Sequence, residues 1–274
     1  MERESIVIEP RKGWVPVDFR ELWKFRELLY FLAWRDMKVK YKQTAIGVVW
    51  AVLQPVLAML VFSVVFGRFA SMPSEGVPYP IFVLTGLLLW NYFSAVLSQS
   101  TTSLVTGANL VSKVYFPRLI IPASSAIAAL IDFLIGFAVL IAMMLWYGVG
   151  LTPGVLLAPV IIAVTLVNAV GFGIWFSALN VRYRDIQYAV PFLIQIWMFA
   201  SPVIYPASLL GERWSWLMYL NPMSGVIEAI RPAMLGNRPI PWEGLAVSAV
   251  IGIVVFLAGV FYFRRVERHF ADVI

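Results

Sequence analysis

Apolar runs separated by short polar stretches fill the chain from about residue 46 onward. Six of them, at 46–66, 80–103, 119–147, 155–179, 187–207 and 244–263, could each cross about 30 Å of hydrocarbon as a helix at about 1.5 Å per residue. Five carry no charge, and the third holds Asp132. The run 187–207 is broken by Pro191, Pro202 and Pro206. The next, 223–235, is interrupted by Glu228 and Arg231 and is too short to span, so it predicts a re-entrant or interfacial segment. Asn221 can cap that helix with Pro222 in its first turn, and Gly236 can stop it after Leu235.

Residues 1–45 are the only long hydrophilic stretch. Over 19–42 the pattern predicts an amphipathic helix. Arg20, Lys24, Glu27, Arg35, Lys38 and Lys42 share one stripe, interrupted by Phe31, opposite Leu22, Phe25, Leu29, Leu32 and Ala33. Such a helix lies in the membrane interface with its basic side toward anionic headgroups. A juxtamembrane basic tail that only fixes topology is the alternative. The expected organisation is a segment 1–45, a transmembrane domain 46–263 and a tail 264–274. The fold class is an all-α polytopic membrane protein with six transmembrane helices, an N-terminal interface helix and short re-entrant helices between spans five and six.

Composition agrees. Hydrophobic residues are 61%, charged residues 13%, and the mean hydropathy is +0.84. Without cysteine and with the single histidine His269, disulfides, thiol chemistry, a Cys/His metal site and a His-dependent triad are excluded on one chain. Residues 1–10 have mixed charge and no apolar stretch, so no cleavable leader is expected. Of the 21 Lys and Arg residues, only Arg68, Arg213, Arg231 and Arg238 fall on one side of the six-span arrangement. The positive-inside rule then puts both termini in the cytoplasm.

Catalytic chemistry is hard to place. There is no G-x-x-x-x-G-K-[ST], G-x-S-x-G or H-E-x-x-H, so no ATPase or hydrolase motif of those kinds is present. Glu212, Glu228 and Glu243 are expected to be surface or interfacial charges. Asp132, mid-span, costs about 2.5–3.5 kcal/mol to insert and must face protein or water. It is either a proton or substrate contact, or a structural acid bonded to a group such as Asn168 or Ser177. Trp90, Asn91, Tyr92 and Phe93 in the second span, and Gln195, Trp197, Phe199 and Tyr205 in the fifth, combine rings with amide and hydroxyl groups. That mixture suits sugars, which stack on rings and hydrogen-bond through hydroxyls. Marking the membrane interface is the competing role.

The segments RDMKVKYKQTAIGVVWAVLQPVL (35–57), NLVSKVYFPRLIIP (109–122), NVRYRDIQYAVPFLIQIWMFASPVIYP (180–206) and NPM (221–223), in this order and spacing, resemble the permease subunits of ABC-2 type exporters. The similarity is to the branch that exports lipid-linked polysaccharides: O-antigen (Wzm-like), capsule or teichoic acid. It covers nearly all of 20–265.

The resemblance implies a homodimer with two copies of a separate nucleotide-binding ATPase, which carries the ATP and magnesium. It implies no cofactor, no catalytic residue and no metal on this chain, and no nucleic-acid partner. The channel lies at the dimer interface, lined by spans one, two and five. The loop holding Asn109, Lys113, Tyr115 and Arg118 docks on the ATPase, and gate helices lie at about 209–235. Undecaprenyl-linked polysaccharide crosses from the cytoplasmic to the outer side of the inner membrane. Arg35, Lys38, Lys40 and Lys42 offer charge-assisted contacts to its diphosphate, with a purely topogenic role as the alternative.

Other readings are export of a drug or small lipid, a polyprenyl-linked glycosyltransferase, and an ion-coupled transporter. The inner loops offer only Asp185 as an acid, against the metal-binding cluster expected of a transferase. Inverted repeats and paired intramembrane charges, expected of a coupled transporter, are not evident.

Overall fold

The computed structural model describes residues 19–42, 47–150, 152–267 and 270. The segment 1–18, most of the tail 264–274 and His269 lie outside the described residues, as do the side chains of Glu212 and Trp214. The described residues form helices and connecting segments, with no strand among them. It begins with α1 (Phe19–Lys24) and α2 (Arg26–Lys42), then α3 (Gly47–Phe62), continued as a π-helical stretch Ser63–Phe69. Next come α4 (Tyr79–Thr106), α5 (Ala108–Lys113), α6 (Ile120–Trp146) and α7 (Ala158–Arg182). The last part holds α8 (Ile186–Phe199), α9 (Gly211–Tyr219), α10 (Pro222–Leu235) and α11 (Trp242–Val266).

Among the described residues, five helices are long and apolar enough to cross a membrane. They start at Val49, Tyr79, Ile120, Pro153 and Trp242. The fifth expected span, 187–207, is not one continuous helix. Its helical part, α8, has 14 residues, about 21 Å of rise. The break has a local cause: Pro202 and Pro206 lack amide donors, so the ladder cannot continue through them.

α4 is the axis of the bundle. Its residues from Ile81 to Trp90 are buried without exception, because α3, α6, α7, α8 and α10 surround it. α7 and α11 form the most extensive helix pair, and they approach through small residues. A Cβ on Gly171 would meet the Phe256 backbone at 2.9 Å, and one on Gly259 would meet the Gly171 carbonyl at 2.8 Å. Membrane helices without a strong hydrophobic driving force gain contact in this way. By contrast, α3 and the π-helical stretch after it are largely exposed, including Val49, Leu57, Leu60, Val61 and Phe69.

The N-terminal helix breaks at Phe25 into α1 and α2. Leu32 and Ala33 are buried, with Leu22, Phe25 and Leu29 partly so, against the ends of α4, α6, α7 and α11. The basic positions Arg20, Lys24, Arg35, Lys38 and Lys42 are exposed. A third face presents Trp23, Tyr30 and Trp34, the latter two stacked at 6.3 Å. Core, aromatic and basic faces on one helix fit a position at the membrane–water boundary.

Candidate translocation site

A cavity of about 920 Å³ lies between the end of α2, the first half of α3, the second half of α4, the middle of α6 and α8. Gln54, Asn91, Ser94, Ser98 and Gln99 supply its amides and hydroxyls. Trp50, Tyr92 and Phe133 supply rings. The rim is open: Trp50, Gln54, Ser98, Gln99 and Pro191 are exposed. A concave surface of this size, mostly apolar with a few polar groups, is the usual form of a small-molecule or sugar site.

At one edge sits Asp132. Its carboxylate accepts from the Lys40 ammonium and from the Tyr41 hydroxyl, both at the end of α2. The expectation that it would bond Asn168 or Ser177 is corrected. Asn168 instead donates to the Val164 carbonyl at 3.0 Å and reaches the Ser248 carbonyl on α11 at 3.4 Å. The reason is the course of α2. It runs along α6 rather than stopping at its start, so its last turn arrives at the level of Asp132. Burial, reinforced by the neighbouring Asp132 carboxylate, pushes the Tyr41 phenol above its ordinary pKa and keeps it a donor.

The second feature is the non-helical segment 200–206 after α8. In a membrane such backbone persists only where protein satisfies its polar groups. Here side chains from α4 and α10 do so. Tyr79 donates to the Ile204 carbonyl at 2.7 Å, and Arg231 donates to the Val203 carbonyl at 2.7 Å. Asn221 reaches the Ala200 carbonyl at 3.3 Å, and the Ala207 amide donates to Glu228 at 3.3 Å. Asn221 also caps α10 by accepting from the Met223 amide and accepts from the Trp197 indole at 2.9 Å. Gly236, at φ +63°, ends α10.

Glu228 is not a surface charge, contrary to its reading from sequence. It is 1% exposed and accepts from Arg231 at 3.0 Å. It also pairs with Arg238, which in turn donates to Glu75 at 2.8 Å. Arg231 is fully buried, with its guanidinium 3.6 Å from the Phe82 ring centroid. Two acids and two arginines thus balance one another, Glu228 and Arg231 fully buried and Glu75 and Arg238 partly so. The sequence hid this because Glu75 comes from a loop 163 residues before Arg238, which itself follows directly on α10. Every residue of α10 is buried, so it is a core strut of this chain, whereas α9 exposes Trp216 and Leu217.

The residues singled out from sequence divide. Trp90, Tyr92 and Phe93 are 2%, 3% and 0% exposed. Trp197 packs edge-on against Phe93 and Phe172, each at 5.0 Å. Tyr205 donates to the Phe199 carbonyl at 2.9 Å, while Gln195 and Phe199 face outward. Asn91 and Tyr92 reach the cavity wall; Trp50, Gln54 and Tyr41 join them there and were not singled out. Gln54 carried a usable signal, an amide inside an apolar span. Arg35 pairs with Asp36 at 2.8 Å, Lys38 and Lys42 are exposed, and Lys40 turns to Asp132. On α5 and the turn after it, Asn109, Lys113 and Tyr115 are exposed, whereas Arg118 is tied to the Glu267 backbone carbonyl at 2.5 Å.

The family model described as ABC-2 type transporter matches residues 27–235. The chain belongs to the ABC-2 type transporter family. Among relatives of this ABC-2 protein is the O-antigen export system permease protein RfbA of Myxococcus xanthus, 30% identical over 92% of the chain and 97% of the relative. An RfbA of Klebsiella pneumoniae is 26% identical over 90% of the chain and 95% of the relative. The polysialic acid transport protein KpsM of Escherichia coli is 24% identical over 85% and 91%. The ABC-2 chain is therefore a multi-pass membrane protein of a transporter family, matched along nearly its whole length.

Proposed function

We propose that this chain is the permease subunit of an ABC exporter that moves an undecaprenyl-linked, O-antigen-like polysaccharide across the inner membrane. The observation that carries the reading is the cavity: amides, hydroxyls and rings converge from α2, α3, α4 and α6 in a helical bundle otherwise filled with apolar side chains. Hydroxyl-rich, ring-stacking ligands need that mixture. The RfbA relatives, named for O-antigen export, favour that substrate class. The KpsM relatives, named for polysialic acid transport, favour an acidic polysaccharide as the second reading, at lower identity.

In this proposal two copies pair across the exposed faces of α3 and α8, so that two cavities form one path. Both termini are cytoplasmic. ATP is hydrolysed on a separate subunit that receives α5 and the turn after it, with Asn109, Lys113 and Tyr115 at the contact. Arg35, Lys38 and Lys42 meet the diphosphate where it enters.

Purification of the tagged chain from its native membrane, with mass spectrometry of proteins and lipids, tests this. A stoichiometric ATPase partner and a polyprenyl-diphosphate glycan are expected. A chain that transports alone, or purifies with an unrelated lipid and no ATPase, overturns it.

A further inference from the structure

Two of the protein's ion-pair systems are of opposite character. Arg231 and Glu228 are sealed, with side chains 0% and 2% exposed. Lys40 and Asp132 are 51% and 26% exposed and stand in the wall of the cavity. A sealed pair is structural, because breaking it strands a charge. A half-exposed pair holds weakly and exchanges readily. Yet Asp132 lies mid-way along an apolar helix, where placing an acid is costly. Its pairing with Lys40 is therefore too weak to explain why an acid is there.

We propose that Asp132 is a resident counter-ion for Lys40, displaced when an anionic phosphate group enters the cavity. This rests on the export reading above and names what the site takes from its substrate first. A phosphate brings more charge and more acceptor oxygens than one carboxylate, so it competes for the ammonium. Tyr41 makes the exchange workable. Its hydroxyl already donates to the other oxygen of Asp132, so the acid keeps a donor when Lys40 turns away. Lys40 and Tyr41 are neighbours on the last turn of α2, so one short segment presents the cation to the ligand and holds the displaced carboxylate. Exchange also removes a tie between α2 and α6, which makes the position of α2 sensitive to occupancy. Asp132 is thus a specificity and positioning residue: it keeps weak anions off Lys40 and yields to a phosphate.

The test uses the full chain in neutral phosphatidylcholine nanodiscs, with farnesyl diphosphate and inorganic diphosphate as probes. Asp132→Asn is expected to bind farnesyl diphosphate at least tenfold more tightly than wild type. Adding Lys40→Gln to that variant should abolish the gain. A gain for farnesyl diphosphate alone identifies a lipid-linked group as the ligand; an equal gain for inorganic diphosphate identifies a free one. Unchanged or weaker binding by Asp132→Asn overturns the proposal, as does a gain that survives Lys40→Gln. Should Asp132→Asn fail to assemble, Tyr41→Phe carries the test, since it keeps both charges. Weaker farnesyl diphosphate binding than wild type is expected, because the displaced carboxylate loses its donor, and unchanged or tighter binding overturns the proposal. Polysaccharide transport by the wild-type complex separates this from the function above. Intact transport without the affinity change sinks only the counter-ion exchange. The affinity change without polysaccharide transport sinks only the export reading.

Discussion

The Arg231 guanidinium donates to the carbonyl oxygen of Val203, 28 residues earlier, at 2.7 Å. One buried side chain on α10 thereby stands in for the helical hydrogen bond that the broken end of α8 lacks. The same guanidinium neutralises Glu228 and covers the Phe82 ring. Gly86 leaves it room, since a Cβ there would meet both Arg231 and the Val203 carbonyl at 3.0 Å.

Arg231→Met is expected to destabilise the folded protein by about 3–5 kcal/mol, because Glu228 loses a buried partner and Val203 a donor. Arg231→Lys should recover little of this, since one ammonium cannot serve the carboxylate and the carbonyl in the geometry of the fork. Thermal unfolding in detergent, followed by fluorescence-detected gel filtration, measures both.

Trp197 has two separable roles. Trp197→Phe keeps a ring between Phe93 and Phe172 but removes the donor to Asn221, at an expected cost of about 1 kcal/mol. Trp197→Ala also empties the ring's place and should cost about 3–5 kcal/mol. Equal melting temperatures for the two variants would contradict this division.

Gln54 and Asn91 face the cavity. Replacing both with Leu should lower polysaccharide transport at least tenfold, while yield, melting temperature and basal ATP turnover of the complex stay within error. A fall in melting temperature would instead assign them to packing.

Lys113 and Tyr115 are exposed, Tyr115 to 69%, at the end of α5 and just beyond it. Lys113→Ala with Tyr115→Ala should uncouple the ATPase. Substrate-stimulated ATP turnover should fall several-fold with the permease still folded. Undiminished turnover and transport would remove this turn from the coupling role.

The absence of cysteine makes the proposed pairing directly testable. Single cysteines at Leu53 on α3 and Phe192 on α8, both exposed, are expected to cross-link two copies in native membranes. A cysteine at Val250, exposed on α11, should not. Cross-linking at Val250 alone would move the interface to that helix.

The sequence by itself determined the helical class, the long apolar spans and the α10 boundaries at Asn221 and Gly236. These features follow from runs of transfer free energy and from local cap chemistry, which neighbours along the chain decide. The faces of α2 were legible for the same reason, since helical periodicity places them. Only the tertiary structure decided the rest. It brought Lys40 and Tyr41 to Asp132 from more than 90 residues away, and Glu75 to Arg238, beside Glu228, from 163. A charge in an apolar run states only that a partner must exist; which partner depends on how helices cross. Trp90 and Phe93 show the same limit from the other side. Their composition suited a channel wall, but the rotation of α4 about its axis turned them into the core and left Asn91 to the cavity.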